Sequence, residues 1–271
     1  PGWREKLENI WNENTNRARY NYNWSFDENG KPAVNFYIEK IHQRKGYKWT
    51  HPVHEVLSFE GVENIITIDN ITLNHYPDKS KSRSSYLPLL ELSVKECPED
   101  DRNMHYLGRE YMYYGRWNEA IDTLIRHLQL KGATWRDERA ASMRFISRSY
   151  NALKRYDEAR MWLDKAIEEA PYLRDAYVER ALLEYQLGNL NGTYQYCMKA
   201  LDIKTHPKTY INEPFSFDHT IYDLLSICTY SKEEYILSYV YAYQALKLSP
   251  NNERIKNNMK LIKAKIEENS Q

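Results

Sequence analysis

At 271 residues the chain is long enough for one large domain or two ordinary ones, and 42% hydrophobic content supplies a core. Its 38 basic residues are matched by 38 acidic ones, which excludes the excess positive charge of a nucleic-acid binder or a polybasic membrane surface. No apolar run approaches the roughly 18 residues of a membrane span, and no signal-peptide pattern opens the chain. Cys97, Cys197 and Cys228 stand far apart without a CxxC pair, so no cysteine zinc site is indicated and a reducing, cytoplasmic setting is expected.

Residue 1 is Pro and the chain opens as if mid-domain, so a fragment of a longer polypeptide is expected. Trp3, Leu7, Ile10 and Trp11 recur at helical spacing. Over 17–24 the period becomes two, with Ala18, Tyr20, Tyr22 and Trp24 alternating with polar residues. Asp27-Glu28-Asn29-Gly30 is a turn signal, and 33–41 alternates again, so 17–41 is predicted to be a hairpin. A polar-aromatic loop follows, Gly46 to Glu55, and then strand at Ile65–Ile68 and Ile71–Leu73. After Pro77 strand signals vanish. Tyr86, Leu89, Leu90 and Val94 share one helix face that ends at Cys97-Pro98.

From about residue 102 onward a small-residue signature repeats. Small side chains lie twelve apart in four units: Gly108 and Ala120, Ser147 and Ala159, Ala181 and Thr193, Ser226 and Ser238. In three of them another follows seven later, at Ala166, Ala200 and Ala245. Helices that pack closely need small residues where their axes approach. Tetratricopeptide units repeat at about 34 residues. Ala159 to Thr193 is a step of 34, and the other steps are longer. Gly115-Arg116, Lys154-Arg155 and Gly188-Asn189 fall where the turn within each pair belongs, and His206 to Asp218 is predicted to be a long inter-repeat loop. Ile255, Met259, Ile262 and Ile266 give the polar last helix one apolar face, as a capping helix requires. The expected fold is therefore α+β. Residues 1–77 form a small, incomplete α/β part, and 78–271 form an all-α helical-repeat array.

The candidate chemistry is in the loop Trp49 to Glu55, where His51, His54 and Glu55 lie within seven residues. Imidazole and carboxylate together can hold a divalent ion or act as acid and base, and they equally suit a hydrogen-bonded structural loop. His75 at the junction is expected to be a hydrogen-bonded histidine. Arg109 and Glu110 are expected as an ion pair at the first repeat helix or as a solvated pair. Tyr111, Tyr113 and Tyr114 are compatible with a sugar-stacking surface or, at their spacing, with repeat core, and Trp117 and Trp162 with packing.

Trp24-Ser25-Phe26-Asp27-Glu28-Asn29-Gly30, Ile41 to Trp49 and Pro52-Val53-His54-Glu55-Val56-Leu57 resemble the distal part of a family 2 glycosyltransferase domain. Lys81, Arg83, Leu89-Leu90-Glu91, Tyr106-Leu107-Gly108-Arg109-Glu110 and Trp135 with Glu138-Arg139 resemble the helical, tetratricopeptide-like extension of such proteins. The resemblance implies a nucleotide-sugar donor, a glycan, lipid or protein acceptor, and inverting transfer assisted by divalent Mn or Mg. It implies His54 as a metal ligand, Glu55 as an acceptor-side catalytic carboxylate, and Trp49 and His51 as acceptor-binding residues. The family's DxD pair has no counterpart in position: Asp27-Glu28 lies in a hairpin turn and Asp100-Asp101 after the first helical element. The chain alone is therefore expected to be inactive. The alternative expectation is a non-catalytic repeat scaffold that binds a protein or peptide in its groove, with no nucleic acid and no membrane span.

Overall fold

The computed structural model describes residues 2–78, 80 and 85–269. Lys81 and Arg83, which contribute to the resemblance, lie outside these residues. A small α/β part is followed by an array of paired helices, as the two periodicities require.

Helix α1 (Trp3–Ile10) leads into β1 (Arg17–Phe26) and β2 (Pro32–His42), an antiparallel pair with Arg17 opposite His42 and Phe26 opposite Pro32. The hairpin turn is closed by Asp27, whose Oδ1 accepts from the backbone N–H of Asn29 and of Lys31. Strand β5 (Ile65–Asn74) runs parallel to β1 on its other side, giving the order β2-β1-β5. The two predicted stretches 65–68 and 71–73 are one strand, interrupted by a register shift opposite Tyr20 and Asn21. Leu7 and Trp11 cover the core of this sheet, made of Ala18, Tyr20, Ile68 and Ile71.

The polar-aromatic stretch is only half loop. Tyr47–Thr50 forms β3 and pairs with β4 (Val56–Phe59), so the irregular segment narrows to 51–55. The sequence hid this hairpin because its four-residue strands are too short for alternation to register.

The array begins with α2 (Tyr86–Glu96). Four antiparallel pairs follow: α3 (Asp101–Tyr113) with α4 (Trp117–Gln129), α5 (Arg136–Ala152) with α6 (Tyr156–Glu169), α7 (Arg174–Gln186) with α8 (Leu190–Asp202), and α9 (Thr220–Ser231) with α10 (Tyr235–Leu248). Helix α11 (Glu253–Glu268) closes the array, with Ile255 and Ile262 buried and its other face solvated. Every small residue of the repeated signature is buried. A Cβ on Gly108 would sit 2.5 Å from Leu124 Cγ, and Ser147 Oγ and Ser238 Oγ each donate across the pair to a backbone carbonyl, of Ala159 and Ser226, at 2.8 Å. Trp162 is a packing residue, as expected, in the core that also holds Leu124, Phe145 and Ile146.

The turn inside each pair uses the left-handed backbone region at one equivalent position: Gly115 (φ 71°), Lys154 (φ 60°), Gly188 (φ 76°) and Glu233 (φ 62°). Glycine bears this conformation without cost, and lysine or glutamate does not.

Two stability outcomes follow, both read as urea midpoints. Gly108→Ala should destabilise by about 1–3 kcal/mol, because Leu124 must leave its rotamer. Lys154→Gly should stabilise by about 0.5–1 kcal/mol, because relief of the positive φ outweighs the entropy gained by the unfolded chain.

Candidate functional site

The loop 51–55 joins the sheet to the first repeat. His51 (φ 70°) and His54 (φ 52°) both take up left-handed backbone, a strained choice for non-glycine residues that surrounding contacts must hold. His51 is clamped by α3. Its Nδ1 accepts from Asn103 Nδ2 at 2.8 Å, and its Nε2 lies 3.3 Å from Asp100 Oδ2. Asp100 uses its other oxygen to cap α3, accepting from the Asn103 backbone N–H at 2.7 Å. Val53 is buried among Leu87, Leu90, Val94 and Met104, which anchors the loop in the array's core. The His54 ring stacks on Tyr106, with centroids 4.0 Å apart and planes inclined by 15°.

Of the four residues proposed from sequence, the structure holds His51 and His54 against the same helix. Glu55 is exposed, and Trp49 is 51% exposed, with Lys40 Nζ 4.7 Å from its ring centroid. An open hollow of about 470 Å3 lies beside the loop, lined by Thr50, His51, Pro52, Ser93 and Cys97 among others. His75 is hydrogen-bonded as expected, through its backbone N–H to Asn23 O at 2.9 Å and through its ring Nδ1 to Trp24 O at 3.1 Å. Tyr113 and Tyr114 are exposed, so repeat core is not their role, whereas Tyr111 donates to Glu91 at 2.9 Å.

Sequence reasoning missed a buried polar cluster behind this joint. Tyr106 meets His105 edge-on at 5.7 Å and Tyr210 at 6.0 Å. His105 Nδ1 lies 2.7 Å from Ser142 Oγ, which lies 3.0 Å from His127 Nδ1. His127 Nε2 is 3.5 Å from Glu138 Oε1, and the Tyr210 hydroxyl donates to Glu138 Oε2. His105, His127 and Ser142 are fully buried. Burial pushes the His105 imidazole down to about 3. Burial alone would raise Glu138, but the His127 ring 3.5 Å away, the nearby His105 and the Tyr210 hydroxyl together hold its carboxyl down at about 2. The three residues at the ends of this chain, 105, 127 and 138, lie on three different helices with no regular spacing, so no motif announces them.

A third element completes the region. The first helices of successive pairs, α3, α5 and α7, are neighbours, and the irregular segment 203–219 lies along them as a strap. Arg144 Nη2 donates to Ile211 O at 2.8 Å, Asp175 accepts from Glu213 N at 2.6 Å and from Ser216 Oγ at 2.9 Å, and Arg148 bonds Glu213. Beneath the strap Glu179 takes Arg144 at 2.6 Å and Arg148 at 2.8 Å. Burial would raise the Glu179 carboxyl, but the two guanidiniums together hold it below its ordinary range. The sheet meets the strap where Phe36 packs edge-on against Tyr210 at 6.2 Å. At the far end the hairpin tip reaches α10: Glu28 accepts from Ser249 Oγ, and Asn29 Nδ2 donates to Leu248 O at 3.3 Å.

No protein-family model and no curated protein matches the chain. Solved structures do. YrrB, a TPR protein with an unusual peptide-binding site, is 13% identical, covers 66% of this chain and 84% of its own, and superposes with a TM-score of 0.51. MamA is 18% identical over 66% of this chain and 99% of its own, with a TM-score of 0.49. A thermophilic TPR protein of Thermus thermophilus is 19% identical over 66% of this chain and 89% of its own, with a TM-score of 0.46. The likeness is one of fold: the helical array is of tetratricopeptide type. Nothing in these comparisons supports a glycosyltransferase domain. Among the described residues no helix is long and apolar enough to cross a membrane.

Glu179→Ala leaves the buried Arg144 with only Glu213 at 3.4 Å as counter-charge and should cost about 3–5 kcal/mol of unfolding free energy. Because the folded carboxyl titrates below its unfolded value, its contribution is complete above about pH 4.5 and is lost as pH falls through the depressed value. Glu179→Gln should therefore flatten the acid limb of a midpoint-against-pH curve, and an unchanged limb would exclude Glu179 as its source.

Proposed function

We propose that the chain is an interaction scaffold whose array carries the small sheet and offers α10 to a protein partner. The observation that supports this is that α10 is largely apolar on its outward face as well as on the face it packs. Ser238, Ala242 and Ala245 face the array, yet Ile236, Val240 and Tyr243 also form a stripe at helical spacing and are 73%, 46% and 47% exposed. Leu237 and Leu248 extend it. A helix that is apolar on every side belongs under cover, and contiguous exposed patches of this kind mark interaction surfaces. The face along α3, α5 and α7, where solenoids commonly bind, is already occupied by residues 203–219. A peptide bound there would have to displace Tyr210 and Ile211. The outer face of α10 needs no such exchange.

A photo-crosslinking residue at position 240 in cells should give a discrete protein adduct that Ile236→Glu abolishes. The same probe at exposed Lys263 should give none. Equal adducts at both positions, or none at either, would remove α10 as the docking face.

A second reading keeps the transferase resemblance, and the joint favours it. Two strained histidines share one loop, and one of them, His51, lines an open hollow of the kind the acceptor side of a sugar-transfer pocket needs. In this reading His54 serves a divalent ion whose other ligands come from a donor-binding segment, and Glu55, Trp49 and His51 face the acceptor. In the full-length gene product His54→Ala should abolish metal-dependent transfer and leave helicity intact. Retained transfer would remove His54 from the mechanism.

A further inference from the structure

The His105–His127–Glu138 cluster is absorbed by neither reading above. One residue comes from each of three consecutive helices, α3, α4 and α5. Each offers a donor atom within 4.8 Å of the other two, and all three residues are buried, at 0%, 0% and 4% exposure. We propose that these three side chains are the protein ligands of a divalent ion of the zinc class, which staples α3, α4 and α5 together.

Three observations carry the assignment. The first is the unmet capacity of the imidazoles: neither His105 Nε2 nor His127 Nε2 has a hydrogen-bond partner within normal range. A buried polar nitrogen left unmatched is costly, and a network of polar groups is kept inside a protein when every member is satisfied. The second is the orienting group. Both Nδ1 atoms approach the same Ser142 Oγ, at 2.7 and 3.0 Å. A hydroxyl oxygen can accept from both Nδ1–H groups, which fixes both rings in the tautomer whose Nε2 lone pair is free. Without an ion the serine can donate to His127 Nδ1, which turns that ring's Nε2–H toward Glu138 Oε1, and the His105 Nε2 stays bare.

The third is the chemistry of the donor set. Two neutral imidazoles and a carboxylate suit zinc, with bonds of about 2.0–2.2 Å and tetrahedral geometry that sets ligands a little over 3 Å apart. His127 Nε2 and Glu138 Oε1 already lie 3.5 Å apart. Tyr210 on the strap donates to the carboxylate's other oxygen and orients it. Arg109 and Arg144 are near enough to oppose an added positive charge, so the assignment rests on the geometry of the three ligands.

The test uses the whole chain, stripped with a chelator and titrated with Zn2+ by calorimetry, with Co2+ as a spectroscopic stand-in. The expected result is one equivalent bound, a Co2+ absorption spectrum of low-coordinate nitrogen and oxygen ligation, and a thermal midpoint raised by several degrees. His127→Gln and Glu138→Gln, which keep the volume and the contact to Tyr210, should each weaken binding at least tenfold. His75→Ala, at a half-buried histidine of the sheet, should not. Absence of stoichiometric binding by the unmodified chain would overturn the assignment irrespective of how the variants fold. Undiminished binding in both glutamine variants would place the ion elsewhere and overturn it equally.

Discussion

The close approach of two helices within each pair is the constraint from which the remaining structure follows. Gly108 against Leu124, Ser147 against the Ala159 carbonyl and Ser238 against the Ser226 carbonyl leave no room for larger side chains. Once the pairs close this tightly, their first helices line up and form a continuous face. The chain covers it with its own residues. Tyr210, Ile211 and Glu213 of the strap fill it, and the sheet leans on the strap through Phe36. Charge holds the arrangement as much as apolar burial does. Arg144, Glu179 and Asp175 are taken out of water and Arg148 is half-buried, and each finds a partner of opposite sign or a backbone group. Breaking such a set leaves an uncompensated charge.

The fold was legible where one residue type alone meets a physical need. The small residues at fixed spacing announced the pairs, and the Asn-Gly turn announced the first hairpin. The in-pair turns were legible at Gly115 and Gly188, where glycine marks the left-handed position. At Glu233 the same position is held by a residue whose type does not report its conformation, so the fourth pair carried no turn signal. The hairpin of β3 and β4 was hidden because four residues are too few to show a period.

The site was legible in part. The His51–Glu55 loop stood out as a local cluster, and the structure holds two of its members on α3. What the sequence could not show is that His51 is tied to the N-cap of that helix, because the tie joins residues about fifty positions apart. The buried set of His105, His127 and Glu138 was invisible for the same reason. Its members are brought together only by stacking of the helices, and His105 was overshadowed by the YLGRE element that follows it. Composition also misled at Tyr113 and Tyr114, since helical spacing suited them to a core from which the structure excludes them.

The sheet touches the array near its beginning, at α3, and near its end, at Leu248 and Ser249. A solenoid held only by neighbour contacts can open and close like a spring. One whose two ends are bridged by a rigid crosspiece cannot, because any change of curvature must stretch the bridge. The hairpin tip at Glu28 and Asn29 is the slighter of the two attachments, and it sits immediately after the exposed helix α10. Whatever loads α10 therefore bears first on that tip and on the β1–β2 hairpin it closes.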